Sequence, residues 1–450
     1  MTNVTPEVGR PCQPTPPTCS MPARRLLRDL TALACARNLG TRLAVISLGW
    51  SHFEGRNAHE NVEDVTGGRD SSTGRATGKR TPSALAAPAL VVALLALTGC
   101  TTGKSTALVS RAVSAADVQA IDELFAPYAR PDAPGAAIVV ILNGQAAFSR
   151  GYGLAELETN TPVTERTNFR VASLTKAFTA MGILVLVKDG RLQLDDRVGD
   201  ILPDFPAYGR GIRIRHLLTH TSGLRAYQEF GPDYPAHQIK DRDVLTVLRR
   251  TDSTYFPPGS AFRYGDSGYA ILALVVERAS GESFGRFLHN RIFARIGMDS
   301  TVTYEPGVSV VAHRAVGYSL TPTGVRLSDQ NTMSAVLGDG GIYSSVRDLV
   351  AWDRALDNHT LIDPQLQQLA WTPAALNDGT KTRYGFGWFI DRDATGFQLS
   401  HRGETSGFTN AILKYPDRRL TVVVLTNRRG GTPWSIAASV ATLPSFQSGQ

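Results

Sequence analysis

The sequence predicts an α+β fold in which one mixed sheet carries a helical insertion. Strand-like segments lie near both ends of residues 114–445, and helices with Pro-rich loops fill residues 212–300 between them. Strands from the two ends can bury their apolar faces by joining one sheet. A hydrophobic content of 42% and a charged content of 19% are typical of an ordinary globular chain.

The first regular elements follow from local pattern. Residues 114–130 place apolar side chains at helical spacing, which predicts a helix. Ala136–Leu142 and Ala146–Tyr152 have the length and composition of strands, and Asn143-Gly144 between them is typical of a tight hairpin turn. We therefore expect a helix followed by a β-hairpin.

The later elements include a helix that is apolar on nearly every side. Ala177–Val187 has this character, which predicts a buried central helix, and Gly190 is placed to end it. Near the C-terminus the pattern predicts two strands joined by a turn and then a closing helix, at residues 409–415, Pro416-Asp417, 419–426 and 433–443.

The N-terminal hundred residues differ from the rest of the chain. Residues 1–80 have the composition of a disordered segment. They could also result from a gene start that is placed too far upstream. Lys79-Arg80 then precede an apolar run, residues 83–98, whose length suits a secretory signal and not a membrane span. The run ends in Leu97-Thr98-Gly99-Cys100, which resembles the lipobox of bacterial lipoproteins.

That resemblance implies a lipid-anchored periplasmic protein. Residues 81–100 would be the signal peptide, Cys100 the lipidated N-terminus of the mature chain, residues 101–113 a linker and 114–445 the main domain. Because residue 101 is Thr and not Asp, the pattern favours the outer membrane. A buried helix that ends at Gly99, or an uncleaved anchor, would also explain the apolar run.

Composition excludes several functions for the main domain. Residues 101–450 have a net charge of only +3 and no basic run, which argues against nucleic acid as a partner. They contain no Cys, so a thiolate nucleophile and a Cys metal site are excluded. His216 and His220 are spaced for a helical metal pair, but Leu217 stands where a zinc protease has Glu, so no metal is expected. No cofactor is implied, and the oligomeric state stays open.

A Ser and a Lys three residues apart stand directly before the predicted buried helix. Only one of the seven lysines, Lys176, has a Ser, Ser173, three residues before it. This spacing places both side chains on one helix face, where the Lys could activate the Ser hydroxyl as a nucleophile. The positive end of the helix dipole should help Lys176 lose its proton. A capping Ser beside a solvated Lys is the alternative interpretation.

Two further motifs follow in order. Tyr264-Gly265-Asp266 comes before an apolar helix at Tyr269–Val276, and His401-Arg402-Gly403 is the only His-x-Gly in the chain. With Ser173 and Lys176, these motifs resemble the pattern of the serine β-lactamase and penicillin-binding-protein superfamily, closest to its class C-like esterases and DD-peptidases. The resemblance covers roughly residues 114–445 and implies a mainly antiparallel sheet flanked by helices, an all-helical subdomain and a site between them.

The resemblance also implies catalytic roles. Ser173 would be the acylated nucleophile, Lys176 its proton acceptor, and Tyr264 the residue that passes a proton to the leaving group. The third motif, with His401 and Gly403, implies substrate binding, and His401 would donate a hydrogen bond to the substrate. The backbone N–H groups of Ser173 and Glu404 would form the oxyanion hole.

Asp266 departs from the pattern, because the family usually has Asn at this position. A carboxylate cannot donate a hydrogen bond as an amide does. If Asp266 lies near Lys176, its charge should hold the Lys protonated, or else pair with a cationic group of the substrate. The sequence thus predicts a lipid-anchored serine hydrolase acting on ester, D-amino-acid peptide or lactam carbonyls of small or peptidoglycan-like substrates. A non-hydrolytic penicillin-recognition protein is the alternative.

Overall fold

The computed structural model describes residues 113–233, 237–393 and 396–447. The predicted N-terminal segment, signal peptide and lipidation site at Cys100 lie outside these residues, as does all but the last residue of the predicted linker. Within the described ranges, no helix is both long and apolar enough to cross a membrane.

The described chain begins with one helix and five strands, continues through a run of helices between residues 175 and 296, and ends in strands and helices of the C-terminal part. The helices are α1 Ala115–Phe125, α2 Thr175–Lys188, α3 Val198–Ile201, α4 Ile214–Leu218, α5 Asp241–Leu248, α6 Ser267–Ser280, α7 Phe284–Leu288, α8 Ala294–Ile296, α9 Leu337–Gly340, α10 Val346–Asp357, α11 Pro364–Ala370 and α12 Pro433–Val440. The strands are β1 Ala136–Leu142, β2 Gln145–Tyr152, β3 Leu154–Glu156, β4 Thr161–Pro162, β5 Phe169–Arg170, β6 Val302–Thr303, β7 Tyr318–Thr321, β8 Gly324–Leu327, β9 Ile342–Ser344, β10 Phe389–Asp393, β11 Gly396–Thr405, β12 Phe408–Tyr415, β13 Leu420–Thr426 and β14 Arg428–Arg429.

The main sheet joins the two ends of the domain. Its strand order is β10-β11-β12-β13-β1-β2. β1 pairs with β13 from Ala136 opposite Thr426 to Leu142 opposite Leu420. The predicted hairpin and C-terminal strands are confirmed, but the expectation of a mixed sheet is wrong, because every pairing in this sheet is antiparallel. Sequential hairpins account for all the neighbours except β13 and β1, which the closing of the chain ends brings together.

Helices cover both faces of this sheet. One face of β1 packs with Ile121 of α1 and Ile436 of α12, and the other face packs with the buried helices of the interior. This double burial explains why β1 is apolar at every position instead of alternating. The structure confirms the predicted α+β fold with helices flanking an antiparallel sheet.

The predicted central helix is confirmed as α2. All its residues except the last two are buried, and α6 packs directly against it. Gly190 follows in the left-handed conformation (φ +70°), as expected of a residue that ends a helix.

Three segments of the fold meet at the start of α2. The turn before α2 lies against β11. Asp266, directly before α6, contacts Lys176 in the first turn of α2. Gly403 shows how close the strand is, because a Cβ there would lie 2.3 Å from the carbonyl oxygen of Val171. Asn410 on β12 also donates a hydrogen bond to the carbonyl of Arg170, which fixes the segment that leads into the turn. All the motifs predicted from the sequence lie on these segments.

Candidate active site

Ser173 lies in a 3₁₀ turn, Ala172–Leu174, that leads directly into α2. Ala172 before it has a left-handed backbone (φ +53°), which is unfavourable for a residue with a Cβ and is tolerated mainly where the surroundings enforce it. Ser173 is partly exposed, whereas Lys176 is fully buried. Lys176 Nζ lies 3.0 Å from Ser173 Oγ, so the structure brings the predicted pair into contact.

Three groups of the protein accept hydrogen bonds from the Lys176 ammonium. Besides Ser173, it donates to Oδ1 of Asp266 at 2.7 Å and to the backbone carbonyl of Asp339 at 3.0 Å. Thr179 donates to the carbonyl of Gly338, which ties α2 to the segment that carries Asp339. The ammonium therefore has all its donors engaged.

These contacts reverse one expectation about Lys176. Burial by itself lowers the pKa of an ammonium, but the Asp266 carboxylate outweighs this effect and raises the pKa of Lys176 well above its usual range. The expectation that the helix dipole makes Lys176 easier to deprotonate is therefore wrong. A fixed carboxylate at 2.7 Å acts more strongly than the partial charge of a helix end.

Asp266 is held between two donors at the start of α6. Its Oδ1 accepts from Lys176, and its Oδ2 accepts from Nε2 of Gln228 at 2.7 Å. About a quarter of its side chain is exposed, at 28%, while that of Lys176 is completely buried. The carboxylate is thus the part of this ion pair that faces the open side of the site.

Tyr264 is a half-buried phenol beside the nucleophile. Its ring stacks on Phe389 with centroids 5.8 Å apart, and Lys176 Nζ lies 5.2 Å from its centroid. Burial raises the pKa of Tyr264, and the nearby Lys176 ammonium only partly offsets this effect. In the resting site Tyr264 is therefore a neutral hydroxyl that can donate or relay a proton.

His401 lies behind Tyr264, with ring centroids 5.9 Å apart. Nδ1 lies 2.7 Å from the carbonyl oxygen of Arg402, which can only accept, so Nδ1 carries the proton. Nε2 then accepts from the Tyr384 hydroxyl at 3.0 Å. Burial, with a contribution from Lys176, lowers the pKa of His401 to about 3, so the ring is neutral. Donation from His401 to a substrate would require one of these bonds to break, and its binding role stays a prediction.

Gly403 and Glu404 lie on β11 beside the nucleophile turn. A residue larger than Gly at position 403 would collide with the carbonyl oxygen of Val171. The missing side chain of Gly403 therefore allows β11 to contact the turn that carries Ser173. The Glu404 side chain is exposed, with its carboxylate 3.5 Å from Arg429. Only the backbone of Glu404 is therefore placed to serve the predicted oxyanion hole, which remains a prediction.

Comparisons with known proteins agree on one family. Residues 121–441 match the family model described as Beta-lactamase, which is more than half of the chain. The chain belongs to the beta-lactamase family. It is 34% identical over 309 residues to penicillin-binding protein 4* of Bacillus subtilis (strain 168), covering 65% of this chain and 68% of that one. It is 29% identical to a D-aminopeptidase of Gluconobacter oxydans (strain 621H), covering 66% and 57% of the two chains.

Solved structures of this family share the fold. The octameric penicillin-binding protein homologue from Pyrococcus abyssi aligns with a TM-score of 0.63 and 27% identity, covering 72% of this chain and 76% of that one. A D-amino acid amidase from Ochrobactrum anthropi SV3 aligns with a TM-score of 0.62 and 22% identity, covering 72% and 98%, and supports the fold alone. The chain is accordingly a serine hydrolase of the beta-lactamase family, related to penicillin-binding proteins and D-aminopeptidases.

Sequence reasoning missed several residues around this beta-lactamase-family site. Neither Gln228 nor Asp339 is identified as a site residue by the sequence patterns. Asp339 is buried and accepts a hydrogen bond from the Tyr227 hydroxyl at 2.8 Å. Burial, and then the nearby Asp266, raises the pKa of Asp339 against the opposing effect of Lys176. Gln228 and Tyr227 are adjacent residues that bind two different carboxylates, and no local pattern in the sequence signals such a contact.

His220 has a packing role in the structure. It is buried, and its ring contacts those of Tyr264, Tyr269 and Tyr384 with centroids 4.4, 5.1 and 4.6 Å away. Among the residues that the structure describes, no group of three or more His, Cys, Asp or Glu side chains could hold a metal ion. His220 therefore supports the ring of Tyr264 from behind.

Proposed function

We propose that this chain is a lipid-anchored periplasmic hydrolase that forms an acyl-enzyme at Ser173 with ester, D-amino-acid peptide or lactam carbonyls. The observation that carries the proposal is the 3.0 Å contact between Ser173 Oγ and Lys176 Nζ, with the Ser partly exposed and the Lys buried. The relatives named penicillin-binding protein and D-aminopeptidase support the choice of carbonyl substrates. The lipid anchor rests on the sequence around Cys100 alone.

The reaction begins with a proton transfer. Ser173 Oγ bonds to the substrate carbonyl carbon as its proton moves to neutral Lys176, and the carbonyl oxygen becomes an oxyanion. The oxyanion then re-forms the carbonyl and the leaving-group bond breaks, with Tyr264 delivering a proton to the departing atom. Water attacks the resulting ester, and its proton passes to the same groups. The hydroxyl returns to Ser173 when the acyl group leaves as the acid.

The resting protonation of the site limits this reaction. Lys176 can accept the Ser173 proton only after it has lost its own, and its pKa is raised well above the usual range chiefly because of Asp266. Tyr264 holds its proton as well, because burial raises its pKa. The enzyme therefore needs a change at Asp266 or Lys176 before the first step, and Asp266 is the residue by which this chain differs from the family pattern.

The test of the proposal is the acylation of Ser173. Ser173→Ala should lower hydrolysis of a short activated ester by at least about a thousandfold, because residues 101–450 contain no Cys and no other Ser stands three residues before a Lys in the sequence. Ser319→Ala, on β7, is the matched control and should leave the rate unchanged. Intact mass after exposure to D-alanyl peptides, D-amino amides, short esters and penicillins should show an adduct on Ser173 that the variant lacks.

The lifetime of that adduct separates the two candidate functions. A transient adduct with release of product supports hydrolysis, whereas a permanent adduct with every compound would favour the penicillin-recognition alternative. Wild-type rates in Ser173→Ala would contradict the assignment of the nucleophile.

A further inference from the structure

The Asp266 carboxylate is a negative charge that a substrate can reach. Its side chain is 28% exposed, whereas its partner Lys176 is completely buried. Each carboxylate oxygen has two lone pairs, and the hydrogen bonds from Lys176 and Gln228 occupy one on each oxygen. Asp266 can therefore accept a further hydrogen bond from the open side without losing its present partners.

Its distance from the nucleophile defines where that further donor must lie. The two hydrogen bonds through Lys176 keep Asp266 Oδ1 within about 6 Å of Ser173 Oγ. An α-amine lies two bonds, roughly 2.5 Å, from the carbonyl carbon, and a hydrogen bond adds about 3 Å. An amine on the carbon next to the scissile carbonyl can thus reach Asp266 while Ser173 attacks that carbonyl.

We propose that Asp266 selects substrates that carry a free, protonated amine next to the scissile carbonyl, and that pairing with this amine releases the proton of Lys176. The inference rests on the proposed function and names the substrate class of the same site. An N-acylated substrate or a lactam with an acylated amine presents no positive charge there, and an amide N–H is a weaker donor to a carboxylate than an ammonium.

The charges around Lys176 explain why a substrate ammonium can take the place of the Lys176 ammonium as the cation paired with Asp266. The titratable side chains around Lys176 are those of Asp266, Asp339, Tyr264, Tyr269, His220 and His401. Burial raises the pKa of Asp339, which favours its neutral form, and burial lowers the pKa of His401 to about 3, so its ring is neutral near pH 7. The resting site therefore balances one ammonium, Lys176, against one carboxylate, Asp266.

Binding of a substrate ammonium adds a second positive charge to this balanced site. The substrate N–H forms a bond to the Asp266 carboxylate, and the weakened pair with Lys176 no longer holds its proton, which passes to solvent. Neutral Lys176 then takes the proton of Ser173 as the bond from Oγ to carbon forms. The substrate amine keeps its own proton throughout and supplies the charge that switches on the base.

A matched series of three substrates tests the selection. D-alanine 4-nitroanilide carries the free amine, its N-acetyl derivative has the amine acylated, and propionyl 4-nitroanilide lacks it. For the wild type, kcat/KM should be at least tenfold higher for the free amine than for either of the others near pH 7. Asp266→Asn should reduce this ratio to near one or reverse it. The readout is the ratio within each enzyme, so a general loss of rate does not imitate the effect.

Glu229→Gln is the matched control for the loss of a carboxylate. Glu229 and Gln228 both belong to the 3₁₀ segment Tyr227–Asp233, called here the rim segment. The Glu229 side chain is as exposed as that of Asp266, at 28%, but it pairs with Arg225 at 3.2 Å and not with Lys176. This variant should keep the amine preference of the wild type. Equal rates for all three substrates in the wild type, an unchanged ratio in Asp266→Asn, or a ratio abolished by Glu229→Gln would each overturn the inference.

Proton release provides a second measurement that does not depend on turnover. D-Alanine amide is titrated into Ser173→Ala by calorimetry in two buffers of different ionisation enthalpy. Close to one proton should be released to the buffer per amine bound by Ser173→Ala. The double variant Ser173→Ala, Asp266→Asn should release none. Binding to Ser173→Ala with no proton release would contradict the switch. If propionyl and N-acetyl compounds acylate Ser173 but no amine preference exists, only this inference fails. Absence of any adduct on Ser173 would overturn the proposed function with it.

Discussion

At the scale of single residues, the ion pair between Lys176 and Asp266 controls the chemistry of the site. The pair brings a carboxylate to 2.7 Å from the base that must deprotonate Ser173. This contact raises the pKa of Lys176, so the fraction of neutral base at neutral pH is small and grows as the pH rises. The departure from the family's Asn is therefore expected to affect rate, pH dependence and substrate choice together.

Replacement of Asp266 by Asn should shift the pH dependence of acylation. Removal of the negative charge lowers the pKa of Lys176, so the acid limb of kcat/KM for an uncharged ester should move to lower pH by at least about one unit. The new amide can donate a hydrogen bond, so acylation by penicillins should also speed up relative to esters. The measurements are a pH–rate profile and a penicillin acylation rate for both proteins. An unmoved acid limb with an unchanged penicillin-to-ester ratio would show that Asp266 does not couple to Lys176.

At the scale of secondary-structure elements, a buried ion pair joins α10 to the main sheet. Lys414 on β12 is completely buried and contacts Asp353 at 2.8 Å and Asp357 at 2.6 Å, both on α10. Thr421 on β13 donates a further hydrogen bond to Asp353, so these buried charges are stabilised by one another and by a neighbouring strand. The pair fixes the rotation of α10 against the sheet, because any other register would bury a charge without a partner.

Lys414→Met should destabilise the domain by about 3–5 kcal/mol, because it leaves two carboxylates without their cation. Burial already raises the pKa of Asp353 against the effect of Lys414, and loss of Lys414 should raise it further. A folded-state pKa above the unfolded value gives stability at low pH that is lost as pH rises. The deficit should therefore be larger at pH 8 than at pH 5.

Urea unfolding at the two pH values measures this deficit. Lys381→Met replaces an exposed lysine and should change stability by less than about 0.5 kcal/mol. A small deficit in Lys414→Met that does not depend on pH would contradict the role of the buried pair.

At the scale of the whole molecule, the proposed anchor would place the hydrolase domain at a membrane surface. Residues 101–113 are long enough to act as a tether between a lipidated Cys100 and the first helix, which begins at Ala115. An enzyme anchored in this way would meet its substrate in the layer next to the membrane, and the anchor would require cleavage before Cys100.

Mass analysis of the mature chain tests the anchor. Protein extracted from bacterial membranes should begin at Cys100 and carry added acyl mass, and Cys100→Ser should move it to the soluble fraction with its esterase activity unchanged. Cys35→Ser is the matched control and should leave the distribution as in the wild type. Recovery of residues 1–99 on the mature membrane-bound chain would contradict cleavage.

The sequence by itself determined the elements and the catalytic motifs. Strand pairing in the hairpin, the all-round apolar character of α2 and the Ser-x-x-Lys spacing depend on residues that are close along the chain, so their patterns can be read directly. The order of Ser173, Tyr264 and His401 added the family, and with it the antiparallel sheet that composition alone left as mixed.

Only the tertiary structure decided how these groups act. Gln228 meets Asp266, Tyr227 meets Asp339, and Lys176 meets the Asp339 carbonyl across separations of 38, 112 and 163 residues. No local period records such contacts, because they depend on how α2, α6 and the rim segment pack. For the same reason the sequence left two expectations for Lys176, easy loss of its proton at the helix start or retention of the proton beside Asp266. The folded chain places the Asp266 carboxylate 2.7 Å from Lys176 and so decides for retention.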